Sequence, residues 1–155
     1  LTACILERPR HDPIIKDLIE MDVKIDFIDD GDVTAAISVA NTSSGVDIYL
    51  GIGGAPEGVL SAAALKCLGC QMQTRLFFQN EDEKFRARKL GISDLYLKYY
   101  IEDMIKDDVI FCATGVTDGS LVKGIKDLGD FFESQTLVLH ESSKTNKILI
   151  NKIKK

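Results

Sequence analysis

Three short stretches of the sequence carry side chains whose type and spacing suit a phosphorylated ligand. In Glu7-Arg8-Pro9-Arg10-His11, two arginines flank a proline that stiffens the backbone between them. Guanidinium forks grip phosphate oxygens in pairs, so this loop suits a phosphoryl group; a solvated pair of surface charges has the same composition. In Asp29-Asp30-Gly31-Asp32, Gly31 permits a tight turn and Asp32 is a natural cap for a following helix. Asp30 has no such local explanation, and two carboxylates around a turn can accept hydrogen bonds from sugar hydroxyls.

The third stretch, Gly51-Ile52-Gly53-Gly54-Ala55-Pro56-Glu57-Gly58, holds four glycines in eight residues. Glycine loses more backbone entropy on folding than any other residue, so such a cluster is present for its geometry. Gly53 and Gly54 let a ligand approach the backbone, and Pro56 fits a first helical turn, where a missing N–H costs nothing. Glu57 sits at the positive end of the coming helix. It is either an ordinary acidic first-turn residue or a carboxylate ligand for Mg²⁺, a hard cation held by one or two carboxylates and phosphate oxygens. The stretch matches neither the dinucleotide fingerprint nor the P-loop, which ends in Gly-Lys-Ser/Thr. A Rossmann-like nucleotide binder is disfavoured accordingly.

The elements around these loops read as alternating strands and helices. "LTACILE" is a buried strand, followed by a helix with Asp12 as N-cap, Pro13 at its first position and Ile14, Ile15, Leu18 and Ile19 on one face. "VKIDFI" is a strand, "VTAAISVAN" a helix, "VDIYLGI" a strand, and an alanine-rich helix runs from about Pro56 to Leu68. "QMQTRLFF" reads as a further strand. This order predicts βαβ units and a single α/β domain over residues 1–155, its mostly parallel sheet flanked by helices. The second half is less regular: a charged helix ending at Gly91, a strong strand "DVIFCATGV", a short helix or turn at "DGSLVKGI", and a terminal hairpin or pair of edge strands from "TLVLH" and "KILINKI". Loops at the carboxyl ends of parallel strands are where α/β sheets bind ligands, so the first three loops should gather along one edge. "ATGVTDGS", Ala113 to Ser120, also follows a strand.

A net charge of −5 over 155 residues argues against general nucleic-acid binding. A phosphate ligand would then need local arginines or a metal ion. No apolar run approaches the roughly 20 residues that cross a bilayer, so no membrane partner is expected. Cys4, Cys67, Cys70 and Cys112 lie in or beside apolar runs, which suggests reduced thiols and a cytoplasmic protein. Cys67-x-x-Cys70 lacks a second pair, and a buried structural thiol explains Cys67 better than zinc. His11 begins a helix and His140 ends a strand, with nothing marking either as catalytic, and no Ser/His/Asp arrangement emerges. The chain starts at Leu1 inside an apolar run without an initiator methionine. That start suggests that a segment has been cut away upstream.

Taken together, "ERPRH", "DGDV", "GIGGAPEGVLSAAALKCLG" and "VIFCATGVTDGSLVKGI" resemble the class II, GlpX-type fructose-1,6-bisphosphatases, members of the lithium-sensitive metal-dependent phosphatase superfamily. The resemblance covers the whole chain. It implies hydrolysis of the 1-phosphate of fructose 1,6-bisphosphate, a step of gluconeogenesis, with sedoheptulose 1,7-bisphosphate as a second substrate in some members. Arg8-Pro9-Arg10 and Asp30-Gly31-Asp32 then correspond to substrate-binding segments. Gly54 offers its backbone to the substrate, and Glu57 is a ligand of a catalytic Mg²⁺ or Mn²⁺.

The resemblance also implies what is not present. Family members are about twice as long, and their N-terminal half carries the other metal carboxylates and an Asp-Pro-x-[Asp/Glu]-Gly-Thr motif that helps activate water. Asp12-Pro13-Ile14 begins like that motif but lacks its continuation, and Asp118-Gly119-Ser120 belongs to the "ATGVTDG" loop. The expectation is therefore the C-terminal half of such an enzyme, its partner the missing N-terminal half. By itself this chain is expected to recognise substrate with little activity, or to persist as a non-catalytic sugar-phosphate-binding half. Exposure of a former interface would favour homodimers or aggregation.

Overall fold

The computed structural model describes all 155 residues, Leu1–Lys155. Its elements in chain order are β1 (Thr2–Leu6), α1 (Asp12–Glu20), β2 (Lys24–Ile28), α2 (Asp32–Ser38), β3 (Ile48–Tyr49) and α3 (Ala55–Leu68). These are followed by β4 (Gln73–Arg75), α4 (Glu81–Lys89), β5 (Lys98–Tyr100), α5 (Ile101–Met104) and β6 (Ile110–Thr114), then β7 (Lys126–Asp127), β8 (Phe131–His140) and β9 (Thr145–Lys154). No helix is long and apolar enough to cross a membrane.

The α/β class expected from the alternating pattern is what forms, with a parallel sheet flanked by helices. Strand β1 is central, with β2 on one side (Cys4 opposite Asp26) and β3 on the other (Cys4 opposite Tyr49), both parallel to it. Ala3, Cys4, Ile5 and Leu6 are all buried, as the near-continuous apolar run of a central parallel strand requires. Burial also pushes the Cys4 thiol above its ordinary range. Helix α1 packs through buried Leu18 while Ile19 stays exposed, so the apolar stripe is narrower than its four aliphatic residues suggested.

Parallel pairing ends at β3. The expected strand "QMQTRLFF" contributes only β4, which pairs antiparallel with β5 in a separate two-stranded ribbon. Gln73 and Arg75 are exposed, a pattern unsuited to a strand covered on both faces. "DGSLVKGI" forms bends and irregular backbone rather than a helix, and the helix of "VTAAISVAN" ends at Ser38 with Val39 as its C-cap. The C-terminal half is a four-stranded antiparallel sheet in which β8 pairs with β6, β7 and β9. The terminal hairpin is thus present, with ten-residue arms from Phe131 opposite Lys154 to His140 opposite Thr145.

Helix α3 joins the two halves. Its sequence is apolar nearly all round, the composition of a helix covered on more than one side. Ala62 and Leu65 meet Ala36 of α2 and Ile101 of α5, whereas Ala64 and Cys67 meet Ile37, Phe111, Leu137 and Leu139. The alanines allow close helix approach, and Leu139 is one of the largest side chains wholly removed from solvent. Cys67 is the buried structural thiol expected of it, its Sγ 3.5 Å from Val109 O.

Candidate functional site

Because β1, β2 and β3 run parallel, the chain leaves all three at the same edge, and the three candidate loops meet there. Their contacts are specific. Arg8 is extended ahead of Pro9, and its Nη1 donates to Glu7 O at 2.8 Å while Nη2 donates to Asp29 O. The first loop is thereby tied to the second. Arg10 Nε donates to Ile52 O at 2.6 Å, tying the first loop to the third. The two arginines are therefore partly anchored, Arg8 half-buried and Arg10 exposed. Each spends part of its guanidinium on a neighbouring loop, and Arg10 keeps both Nη groups for a ligand.

The second loop turns at Gly31, whose left-handed φ of 86° suits glycine. Gly31, not Asp32, is the N-cap of α2, and its carbonyl accepts from Ala35 N at 2.8 Å. A similar offset applies at α1, where His11 is the N-cap and Asp12 the first helical residue, neither making a side-chain cap. Freed from capping, the Asp32 carboxylate accepts from Tyr49 Oη at 2.7 Å. Burial, then that hydrogen bond, pushes the Tyr49 phenol far above its ordinary value and keeps it a donor. Asp30 is exposed on the turn.

In the third loop the glycines make room for side chains of the second loop, of β3 and of α3 itself. A Cβ on Gly53 would lie 3.3 Å from Asp32 Oδ2, one on Gly51 2.7 Å from Tyr49 Oη, and one on Gly54 would collide with Glu57 Oε2. Glu57 thus folds back over the Gly54 backbone at the mouth of α3, with Gly54 as N-cap and Pro56 in the first turn. Bare backbone, the positive end of a long helix, the carboxylates of Asp32 and Glu57, and two arginines are brought together. The arrangement suits an anionic ligand carrying hydroxyls. No group of three His, Cys, Asp or Glu residues lies close enough to hold a metal ion. Glu57 is therefore not part of a three-ligand cluster within this chain.

The fourth loop is built differently. Its parent strand β6 belongs to the antiparallel sheet, and the loop closes on itself: Asp118 Oδ1 accepts from Gly124 N at 2.8 Å and Val122 O accepts from Gly119 N at 3.0 Å. Sequence reasoning missed His11, which is fully buried and bonded to Leu6 O and Ile52 N, and it missed Tyr49. Their partners lie 41 and 17 residues away, beyond any local pattern. It also missed a Ser/His/Asp cluster at the hairpin turn. Asp108 Oδ2 accepts from Ser142 Oγ and meets His140 Nε2, each at 2.8 Å. Asp108 and Ser142 share Nε2 of that ring, while Ser143 Oγ lies 2.8 Å from Nδ1 and 2.7 Å from Thr145 Oγ1, so the hydroxyls lace the turn together. This cluster fastens a turn.

A family model described as bacterial fructose-1,6-bisphosphatase, glpX-encoded, matches residues 1–153. A class 2 fructose-1,6-bisphosphatase of Haemophilus influenzae is 38% identical, over 94% of this chain and 47% of that protein. A class 2 fructose-1,6-bisphosphatase/sedoheptulose 1,7-bisphosphatase of a Synechococcus strain is 35% identical, over 94% of this chain and 46% of that protein. The chain spans about half the length of these relatives. By the match of that model over residues 1–153, the chain belongs to the glpX-encoded bacterial fructose-1,6-bisphosphatase family.

Proposed function

We propose that the three converging loops are the sugar-phosphate-binding part of a metal-dependent bisphosphatase that removes the 1-phosphate of fructose 1,6-bisphosphate in gluconeogenesis. The observation that carries this reading is the linkage of the three loops at one sheet edge by Arg8, Arg10 and the Tyr49–Asp32 pair. Arg10 binds a phosphoryl group through its free Nη atoms, with Arg8 alongside, and Asp30 and Asp32 receive sugar hydroxyls. The backbone of Gly53 and Gly54 lies against the ligand, where no Cβ intrudes. Sedoheptulose 1,7-bisphosphate carries the same groups and is the second candidate substrate. The cytoplasm suits four free cysteines.

Glu57 is proposed as one ligand of a Mg²⁺ or Mn²⁺ ion. The remaining ligands would have to come from the part of the family's length that this chain does not match, so no chemical step is assigned to this chain alone. A second reading, a sugar-phosphate-binding half without catalysis, is favoured because no three His, Cys, Asp or Glu residues of this chain cluster closely enough to hold a metal ion. Phosphate release from fructose 1,6-bisphosphate with Mn²⁺ or Mg²⁺ tests both readings, using the chain alone and its Glu57→Gln variant, with binding followed by calorimetry. Binding without release is the expected result for this chain. Turnover abolished by Glu57→Gln would mean a complete site is present here, and absence of binding would sink both readings.

A further inference from the structure

His11 has no role in that reading, yet it is among the largest side chains wholly out of solvent. Its Nδ1 lies 2.8 Å from Leu6 O, and a carbonyl only accepts, so Nδ1 carries a proton. In the neutral ring Nε2 is then an acceptor, and Ile52 N–H donates to it at 2.9 Å. Ile52 O lies 3.2 Å from the same nitrogen but takes its own donor from Arg10 Nε. Consecutive residues of the first loop therefore hold both backbone polar groups of Ile52, immediately before Gly53-Gly54. The glycines add no side-chain anchor of their own, so the course of the loop is set from this neighbour.

We infer that His11 is a positioning residue. As the neutral, Nδ1-protonated imidazole it fixes the glycine loop, and hence the mouth of α3, in the course a sugar phosphate requires. The inference rests on the proposed function only for the identity of that ligand. A glutamine places its amide oxygen near where Nε2 stands, whereas an asparagine places its amide nitrogen near Nδ1. His11→Gln thus retains an acceptor for Ile52 N–H, and His11→Asn retains only the donor to Leu6 O.

The test is amide hydrogen exchange at Ile52 in the wild-type chain and both variants, paired with calorimetric titration of fructose 1,6-bisphosphate. We expect His11→Gln to stay within about threefold of wild type and His11→Asn to exchange at least about tenfold faster at Ile52, because a buried donor is left unmatched. Affinity should fall in the same order. Equal acceleration in both variants, or equal affinities despite different exchange, would overturn the inference. If the wild type fails to bind but the exchange order holds, the sugar-phosphate reading fails and the hold on the loop stands. Long-range nitrogen–proton NMR of the wild-type ring gives a check independent of variant folding, and an Nε2-protonated tautomer would also overturn the inference.

Discussion

The Gly51–Gly58 loop and the Ala113–Gly124 loop both follow strands and both depend on glycine, but for different reasons. At Gly51, Gly53 and Gly54 an added Cβ would meet Tyr49, Asp32 and Glu57, all side-chain atoms. At Gly115 and Gly124 it would meet backbone: Lys123 C at 2.9 Å in one case, Thr117 Cα at 2.8 Å in the other. Side chains can rotate away and backbone cannot. The Gly51–Gly58 loop uses glycine to keep side-chain atoms close to bare backbone, and the Ala113–Gly124 loop uses it to close a turn. A glycine-rich motif therefore does not announce a binding site; what its missing side chains would strike decides the matter.

Substitution at the backbone-facing position should have the largest effect. Gly124→Ala should destabilise the chain by about 3 kcal/mol, the upper part of the usual range for overpacking, while Gly53→Ala should cost under about 1 kcal/mol. Urea unfolding reads the first difference. In calorimetry the order should reverse, with Gly53→Ala weakening fructose 1,6-bisphosphate binding and the folded fraction of Gly124→Ala retaining it. Similar stability losses for the two would erase the distinction.

A smaller effect sharpens the same contrast within the first loop. Tyr49→Phe keeps the ring but removes the donor to Asp32 Oδ1, at about 1 kcal/mol of stability for one hydrogen bond. Sugar-bisphosphate affinity should fall with it, because Asp32 is no longer aimed. An unchanged affinity, measured by the same titration, would show that Asp32 needs no positioning.

The smallest effect lies in the antiparallel half. Hydrogen bonds from His140 and Ser142 hold the Asp108 carboxyl well below the usual carboxylate range. A folded-state value below the unfolded one stabilises the hairpin turn above the ordinary value of 3.8, and that stability fades as pH falls below it. Thermal unfolding of wild type and Asp108→Asn should differ slightly near neutrality and converge in acid. Because the cluster is exposed, the difference should be small, and its growth in acid would contradict this account.

What could be read in advance follows from the range of the interactions. Strand β1, helix α3 and the terminal hairpin declare themselves through runs of Ala3 to Leu6, of Ala62 to Leu65, and of Leu137 with Leu139. The three loops were legible because turn residues act locally and parallel strands place their exits together. The caps of α1 and α2 were misplaced by one residue, since nothing nearby shows that Asp32 is drawn to Tyr49 instead. The parallel sheet was over-extended to Gln73–Arg75 because an apolar flank outweighed the polar alternation within it. His11 was passed over because its partner in the glycine loop is remote in sequence.

Helix α3 is shared property. Its first turn borders the glycine loop, and its body is part of the core of the antiparallel sheet. Anything that binds only the folded state raises its stability by mass action, by about 2.7 kcal/mol when the ligand stands at a hundred times its dissociation constant. That gain would not be confined to the loops. It should reach Phe111 and Leu139 through Ala64 and Cys67, so that a sugar phosphate at one end of the helix slows local opening of strands that never touch it.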